Sequence, residues 1–288
     1  MKARYVNPVF PDGRVKLFTM SFDDGNDCDV KLIELMRKYG VKGTFNVNSG
    51  LMPKNTVLKP GYLWRKLTAA EWRDIIGPDT ELAVHGFLHP WWNRQSTVNA
   101  MQDILDDKRE LERITGRIIR GAAFPNGTFT DDIVEILRLA GFAYCRTVRD
   151  TKKLHMQEEN FLKLRATVKH DDPDAVRLVE RFASGAPRAE PWVLYLWGHS
   201  YEFIENSSWS VIERYLSLAG ERDDVWYATN LEYVDYWNAA RAIQYNVDCT
   251  LAANPTATDV WLRVSRDYGA ADHVIVKIPA GSTIALPE

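Results

Sequence analysis

The segment VKLFTMSFDDG, Val15–Gly25, sets the reading of the whole chain. From Val15 to Phe22 the residues are almost all apolar or β-prone, the pattern of a buried strand. Two adjacent carboxylates, Asp23 and Asp24, and then Gly25 close it. A helix follows in which Val30, Ile33, Leu35 and Met36 supply the apolar positions and Gly40 the stop. Strand, acidic turn and helix make the opening unit of a parallel α/β fold, where functional side chains collect at strand C-terminal ends. The alternative for the acidic pair is a solvated turn, with Asp27 or Asp29 capping the helix.

Outward from this unit the alternation repeats. Gly43–Val47 predicts a second strand and Leu82–His85 a third. Thr97–Thr115 predicts a long helix, with Val98, Met101, Ile104, Leu105, Leu111 and Ile114 at helical spacing and Gly116 at its end. Arg117–Phe124, Phe142–Thr147, Phe161–Val168, Trp192–Trp197 and Val225–Ala228 read as strands. Asp131–Ala140, Asp174–Phe182, Trp209–Leu218 and Leu231–Tyr245 read as helices. About seven strand–helix units predict a closed or nearly closed (β/α) barrel over residues 1–246. From Val247 the period becomes two, in Val260, Leu262 and Val264 and again in Val274, Val276 and Ile278. Residues 247–288 are therefore expected to form a small antiparallel β extension without chemistry of its own.

Composition narrows the function class. Hydrophobic residues make up 45% of the 288 and charged residues 26%, as in ordinary globular chains. A net charge of −3 with no basic block argues against a nucleic-acid partner. No run approaches the ~18–20 apolar residues that span a bilayer, so no membrane partner is expected. The stretch holding Lys2 and Arg4 lacks an apolar core before Pro8 and Pro11 and does not read as a secretory signal. Cys28, Cys145 and Cys249 are odd in number and far apart, which fits a reducing, cytoplasmic setting. Ten tryptophans offer flat faces for sugar rings as well as core packing.

Three further clusters join the acidic pair. In His85-Gly86-Phe87-Leu88-His89, two imidazoles four residues apart can converge on one metal, or form a structural pair. Pro90 disfavours helical backbone at His89 and predicts a tight turn. His199, in Trp197-Gly198-His199-Ser200, is either a structural histidine or a proton-transfer group. Phe124-Pro125-Asn126-Gly127 reads as a turn. All four clusters end strands, which in a parallel barrel would gather them on one face.

Taken in order, SFDDG, HGFLH, FPNG and WGH resemble the motifs of the polysaccharide deacetylases, the NodB-homology group also called carbohydrate esterase family four. The match runs from about residue 15 to 245. The resemblance implies a distorted (β/α) barrel and a metal-dependent hydrolase that removes acetyl groups, N-acetyl foremost, from an amino sugar or oligosaccharide. It implies that Asp24, His85 and His89 hold a divalent metal, zinc or a substitute such as cobalt. Asp23 matches the general base, His199 the general acid, and Asn126 the position whose backbone N–H helps to hold the oxyanion.

Some positions depart from the family pattern. Gly86 replaces a Ser or Thr whose hydroxyl braces the loop. Ala123 stands where an Arg contacts the base. Residues 146–150 replace a D-x-x-D-W box, leaving Arg146 as an electrostatic substitute. Arg146, Trp92 and Trp197 are also candidate substrate contacts, although core and loop packing is the alternative for Trp92. An acetylated saccharide is the expected partner, and self-association into a homo-oligomer stays open. So do an O-acetyl esterase, a non-sugar amidase, and an inactive carbohydrate-binding protein on the same fold.

Overall fold

The computed structural model describes residues 5–55, 59–155, 158–188, 190–266 and 273–287. Lys2, Arg4 and the chain's last residue lie outside the described residues. In chain order, a peripheral strand β1 (Tyr5–Val9) precedes β2 (Lys16–Asp23), α1 (Cys28–Lys38), β3 (Gly43–Val47), α2 (Ala69–Ile75) and β4 (Thr80–Val84). Then come α3 (Thr97–Thr115), β5 (Gly121–Ala123), α4 (Asp131–Leu139), β6 (Tyr144–Asp150), β7 (Leu164–Ala166) and β8 (Val168–Lys169). The last barrel elements are α5 (Ala175–Ser184), β9 (Trp192–Gly198), α6 (Glu202–Glu205), α7 (Trp209–Ala219), β10 (Val225–Tyr227) and α8 (Asn230–Arg241).

The alternation of β2 determines what each face of the barrel wall meets. Phe18, Met20 and Phe22 pack outward with Leu32, Ile33 and Met36 of α1 in the main core. Leu17 belongs instead to a second core with Tyr195, Tyr233 and Val234, and Thr19, Ser21 and Asp23 share its phase. The outer face is thus apolar and the inner face turns polar towards the strand's C-terminal end. The helices begin and end on local signals. Thr68 and Glu71 form a capping box at α2, Ser96 caps α3 and a left-handed Gly116 ends it, and Thr229 with Glu232 boxes α8.

The parallel sheet runs β7-β6-β5-β4-β3-β2-β9-β8, with β10 pairing with the first half of β2. Only Thr167 separates β7 from β8. Its N–H donates to the Tyr195 carbonyl at 2.9 Å and its hydroxyl to the Val193 carbonyl at 2.9 Å. The two ends of the sheet are therefore one stretch of chain, paired with β6 on one side and β9 on the other. This closes the distorted (β/α) barrel, and with β7–β8 counted once its ring consists of β2 to β6, that stretch and β9.

Three local expectations change. The strand expected at Arg117–Phe124 shrinks to β5, because Ile118 turns out to solvent and the Ile119 N–H is taken by Glu112. The helix expected to reach Tyr245 stops at Arg241, because Gln244–Tyr245 forms β11 and pairs with β12 (Leu251–Ala253). β12 also pairs with β15 (Thr283–Ala285), while β13 (Val260–Ser265) pairs with β14 (Val274–Ile278) and with β1. The antiparallel tail thus takes in residues 5–9 and 244–245 from outside 247–288. Ala239, Ala240 and Ile243 at the end of α8 pack against Val260, Leu262 and Ile278 of the tail. Among the described residues no helix is long and apolar enough to cross a membrane.

Candidate metal centre

Asp23 is the last residue of β2 and points into the barrel mouth, 3% exposed. Its carboxylate accepts from Asn46 Nδ2 at 2.8 Å, and Arg146 Nη2 bonds both of its oxygens. Burial opposes the charge. The Arg146 guanidinium, with His85 and His199 nearby, outweighs burial and holds the carboxyl at about 2. Arg146 is itself fully buried, with its guanidinium 4.5 Å from the Trp197 ring. The arginine missing before Phe124 is thus supplied from the next strand, β6.

Asp24 follows with φ +80°, in the left-handed region. Lys66 Nζ donates to its carbonyl at 2.5 Å and lies 3.3 Å from Oδ1. Burial works against this charge too, but Lys66, His85 and His199 keep the pKa below the ordinary value.

His85 leaves the end of β4 buried, with Nδ1 3.1 Å from the Ala123 carbonyl. A carbonyl only accepts, so Nδ1 carries the proton and Nε2 offers its lone pair to the site. Burial pushes the imidazole down to about 4, which favours that neutral, ligating form. His89 takes φ +55°, a tight turn as Pro90 requires, and its ring centroid lies 4.9 Å from that of His85.

Two carboxylates one turn apart on α3 brace the loop between these histidines. Asp103 accepts from the Phe87 and Leu88 N–H groups at 3.0 and 3.1 Å and from the Trp92 indole at 2.8 Å. Asp107 accepts from the His85 and Ser49 N–H groups at 3.0 and 2.8 Å. Gly86, at φ +80°, leaves a side chain strained and tightly placed, since a Cβ would lie 3.0 Å from both Asp103 Oδ2 and Pro125 Cγ. Asp103 therefore does the bracing expected of a hydroxyl at that position.

The five polar groups expected to act together do converge. Ligand atoms of Asp24, His85 and His89 lie within 4.8 Å of one another. His85 Nε2 is 3.9 Å from Asp23 Oδ2 and His89 Nε2 is 3.9 Å from Asp24 Oδ1. His199 Nε2 is 3.9 Å from Asp24 Oδ2 and 4.0 Å from Asp23 Oδ2. Burial lowers the His199 pKa, but Glu202, Asp23 and Asp24 outweigh it and raise the value. Two imidazoles and a carboxylate are a donor set suited to a zinc-like ion, and the bonded Nδ1 of His85 orients that ring for it. Asn126 sits in the turn after β5 at φ +57°, beside Pro125, which packs on Gly86.

The three candidate substrate contacts are buried. Trp92 is fully buried with its indole N–H on Asp103, so it offers no face to a ligand. Arg146 is engaged with Asp23, and Trp197 is 7% exposed, its N–H on Asp150 at 2.6 Å. Sequence reading also missed Lys66, Asp103 and Glu202. Of these only Asp103 left a local signal, together with Asp107: acids one turn apart, the second inside the apolar stripe of α3.

Comparison with known proteins bears on the fold and the family. The family model for polysaccharide deacetylase matches residues 11–145. No curated protein matches the chain. A Mycobacterium smegmatis structure assigned to the polysaccharide deacetylases is 16% identical, with 81% of this chain and 94% of that one covered and a TM-score of 0.54. A carbohydrate esterase family four pseudoenzyme from Bacillus anthracis is 17% identical, covering 76% and 66% at a TM-score of 0.50. The Streptococcus pyogenes deacetylase PplD is 19% identical, covering 50% and 61% at a TM-score of 0.45. The chain thus spans somewhat under two thirds of the Streptococcus and Bacillus chains. The shared barrel extends beyond the matched segment, and residues 11–145 of this chain are similar to the polysaccharide deacetylase family model.

Proposed function

We propose that the chain is a divalent-metal-dependent hydrolase that removes N-acetyl groups from an amino sugar or oligosaccharide. The observation that carries this reading is the convergence of Asp24, His85 and His89 within 4.8 Å, beside Asp23 and His199. Asp24, His85 and His89 would hold the ion, zinc by donor type. When bound, such an ion lowers the pKa of water and polarises a carbonyl.

The protein's own groups do the rest. Asp23, kept ionised by Arg146, takes the proton of the attacking water. His199, on the other side of the acidic pair, passes a proton to the departing amine. The backbone N–H of Asn126 donates to the developing oxyanion. An amine leaves poorly without a proton, so a positioned His199 favours the amide over the O-acetyl ester. Retention of Asp23 and His199 with all three ligand types also speaks against a carbohydrate-binding protein that has lost catalysis.

The test is zinc content measured beside acetate release from N- and O-acetylated oligosaccharides. In Asp23→Ala, turnover should fall by about 10²–10⁴-fold with zinc retained. Full activity in that variant would remove Asp23 as the base. A native chain with neither zinc nor hydrolysis would support the binding-protein reading.

A further inference from the structure

Glu202, three residues beyond His199, begins the short helix α6. Its Oε2 accepts from the His199 backbone N–H at 3.2 Å and contacts His170 Nε2 at 2.8 Å. Its Oε1 accepts from Lys169 Nζ at 2.7 Å and lies 3.4 Å from His199 Nδ1. That last distance supports charge attraction rather than a well-aligned hydrogen bond, since His199 Nδ1 has no bonded partner among the described residues.

Lys169 and His170 come from the end of β8, so residues after two neighbouring strands fix one carboxylate behind the imidazole. The ring of His170 is clamped in turn, 4.5 Å from Phe203 and 6.0 Å from Phe22. A Cβ on Gly198 would fall 2.1 Å from His170 Cδ2, so only glycine lets His170 reach Glu202. His170, Asp171 and Glu202 could also be read as a metal cluster, but Lys169 Nζ sits 2.9 Å from Asp171 and 2.7 Å from Glu202 and already supplies a cation.

We infer that Glu202, held by Lys169 and His170, is the positioning residue that keeps His199 with Nδ1 turned away from the acidic pair and Nε2 turned towards it. A carboxylate beside Nδ1 favours a proton on that nitrogen and fixes the ring orientation, as in the acid–base–orienter geometry of other hydrolases. A proton passed to a leaving group would then come from Nε2 of the imidazolium, leaving the neutral ring with its proton on Nδ1. The inference rests on the hydrolase reading above for its consequence in turnover, and on side-chain geometry alone for the orientation.

Glu202→Gln and Glu202→Ala are compared with native, zinc-loaded protein on an N-acetylated oligosaccharide and on para-nitrophenyl acetate, whose leaving group needs no proton. For the amide, kcat should fall about 10–100-fold with KM within about twofold, while the aryl ester changes by less than about threefold. Equal losses on both substrates, or no loss on the amide, would overturn the positioning role.

Ring ¹⁵N shifts of His199 give a readout that needs no turnover. At a pH where the ring is neutral, they should report a proton on Nδ1 in the native chain and a shift of population towards Nε2–H in Glu202→Ala. An unchanged tautomer overturns the inference even where hydrolysis is observed. A native enzyme inactive on both substrates would sink the hydrolase reading instead, and the tautomer result would still decide the role of Glu202.

Discussion

The barrel encloses carboxylates at both ends and stabilises them differently. At the C-terminal end of β2, Asp23 is held by the Arg146 guanidinium and the Asn46 amide. At the N-terminal end of β4, Glu81 meets neutral donors, among them Thr44 Oγ1 and Tyr144 OH, each at 2.8 Å, and the Leu231 N–H at 3.0 Å. Burial raises both groups. At Asp23 the charged partners win and the pKa falls to about 2, whereas at Glu81 the neutral bonds only moderate the rise to about 6. Satisfying every lone pair is therefore different from stabilising a charge. The end with the histidine cluster keeps Asp23 ionised well into the acid range, and the other end holds its carboxyl in a knot of neutral hydrogen bonds.

The largest effect should come from removing the cation. Arg146→Met leaves Asp23 buried and unpaired, and unfolding by denaturant should show a loss of about 3–5 kcal/mol. Arg146→Met combined with Asp23→Asn should recover much of that loss, since the orphan charge is gone. Should the double variant be no more stable than Arg146→Met, the cost lies in packing against Trp197 and the contrast between the two ends fails.

Next in size is the loop that carries the histidines. Asp103→Ala leaves the Phe87 and Leu88 N–H groups and the Trp92 indole without their acceptor. Bracing groups of this kind set ligand orientation, so zinc affinity by competition titration should weaken about 10–100-fold. An unchanged affinity would mean that the loop is held by Asn48, whose amide donates to the His85 and Gly86 carbonyls at 2.6 and 3.0 Å.

The clustering of Asp24, His85 and His89 was legible in sequence because its information is local. SFDDG and HGFLH sit at strand ends, and Asp, Asn and His are the residue types that most readily take the left-handed backbone found at Asp24, His89 and Asn126. The barrel was legible from periodicity for the same reason. The partners were not. Arg146 is 123 residues from Asp23, and Lys66 is 42 from Asp24, so only the closed ring brings them together. Arg146 could be singled out as a stand-in charge, but its burial against Asp23 depends on β6 lying beside β5. Trp92 misled for the opposite reason, since an indole after a metal loop reads equally well as a sugar platform or as core. The α2 helix was overlooked despite the local signal of Thr68 and Glu71.

The smallest expected effect tests the structural end. Glu81 has a folded pKa near 6 against an ordinary 4.5. Below pH 4.5 it is protonated in both states and carries no penalty. As pH rises from 4.5 to 6 the unfolded chain gives up this proton first, so the Glu81 contribution to stability falls. The loss levels off above that window at about 2 kcal/mol. Glu81→Gln should remove that fall. Its amide oxygen can accept from Thr44 and Leu231, while its NH₂ meets the Tyr144 oxygen and deprives the Tyr144 O–H of its acceptor, a cost equal at both pH values. Gly121 leaves the space for either side chain, since a Cβ there would lie 2.3 Å from Tyr144 OH and 2.6 Å from Glu81 Oε1. Unfolding free energies at pH 4 and pH 7.5 decide the matter. The native chain should lose about 1–2 kcal/mol more than the variant between those values. Parallel pH profiles would mean that Glu81 is as well compensated as Asp23, and that neutral donors alone can stabilise a carboxylate in this barrel.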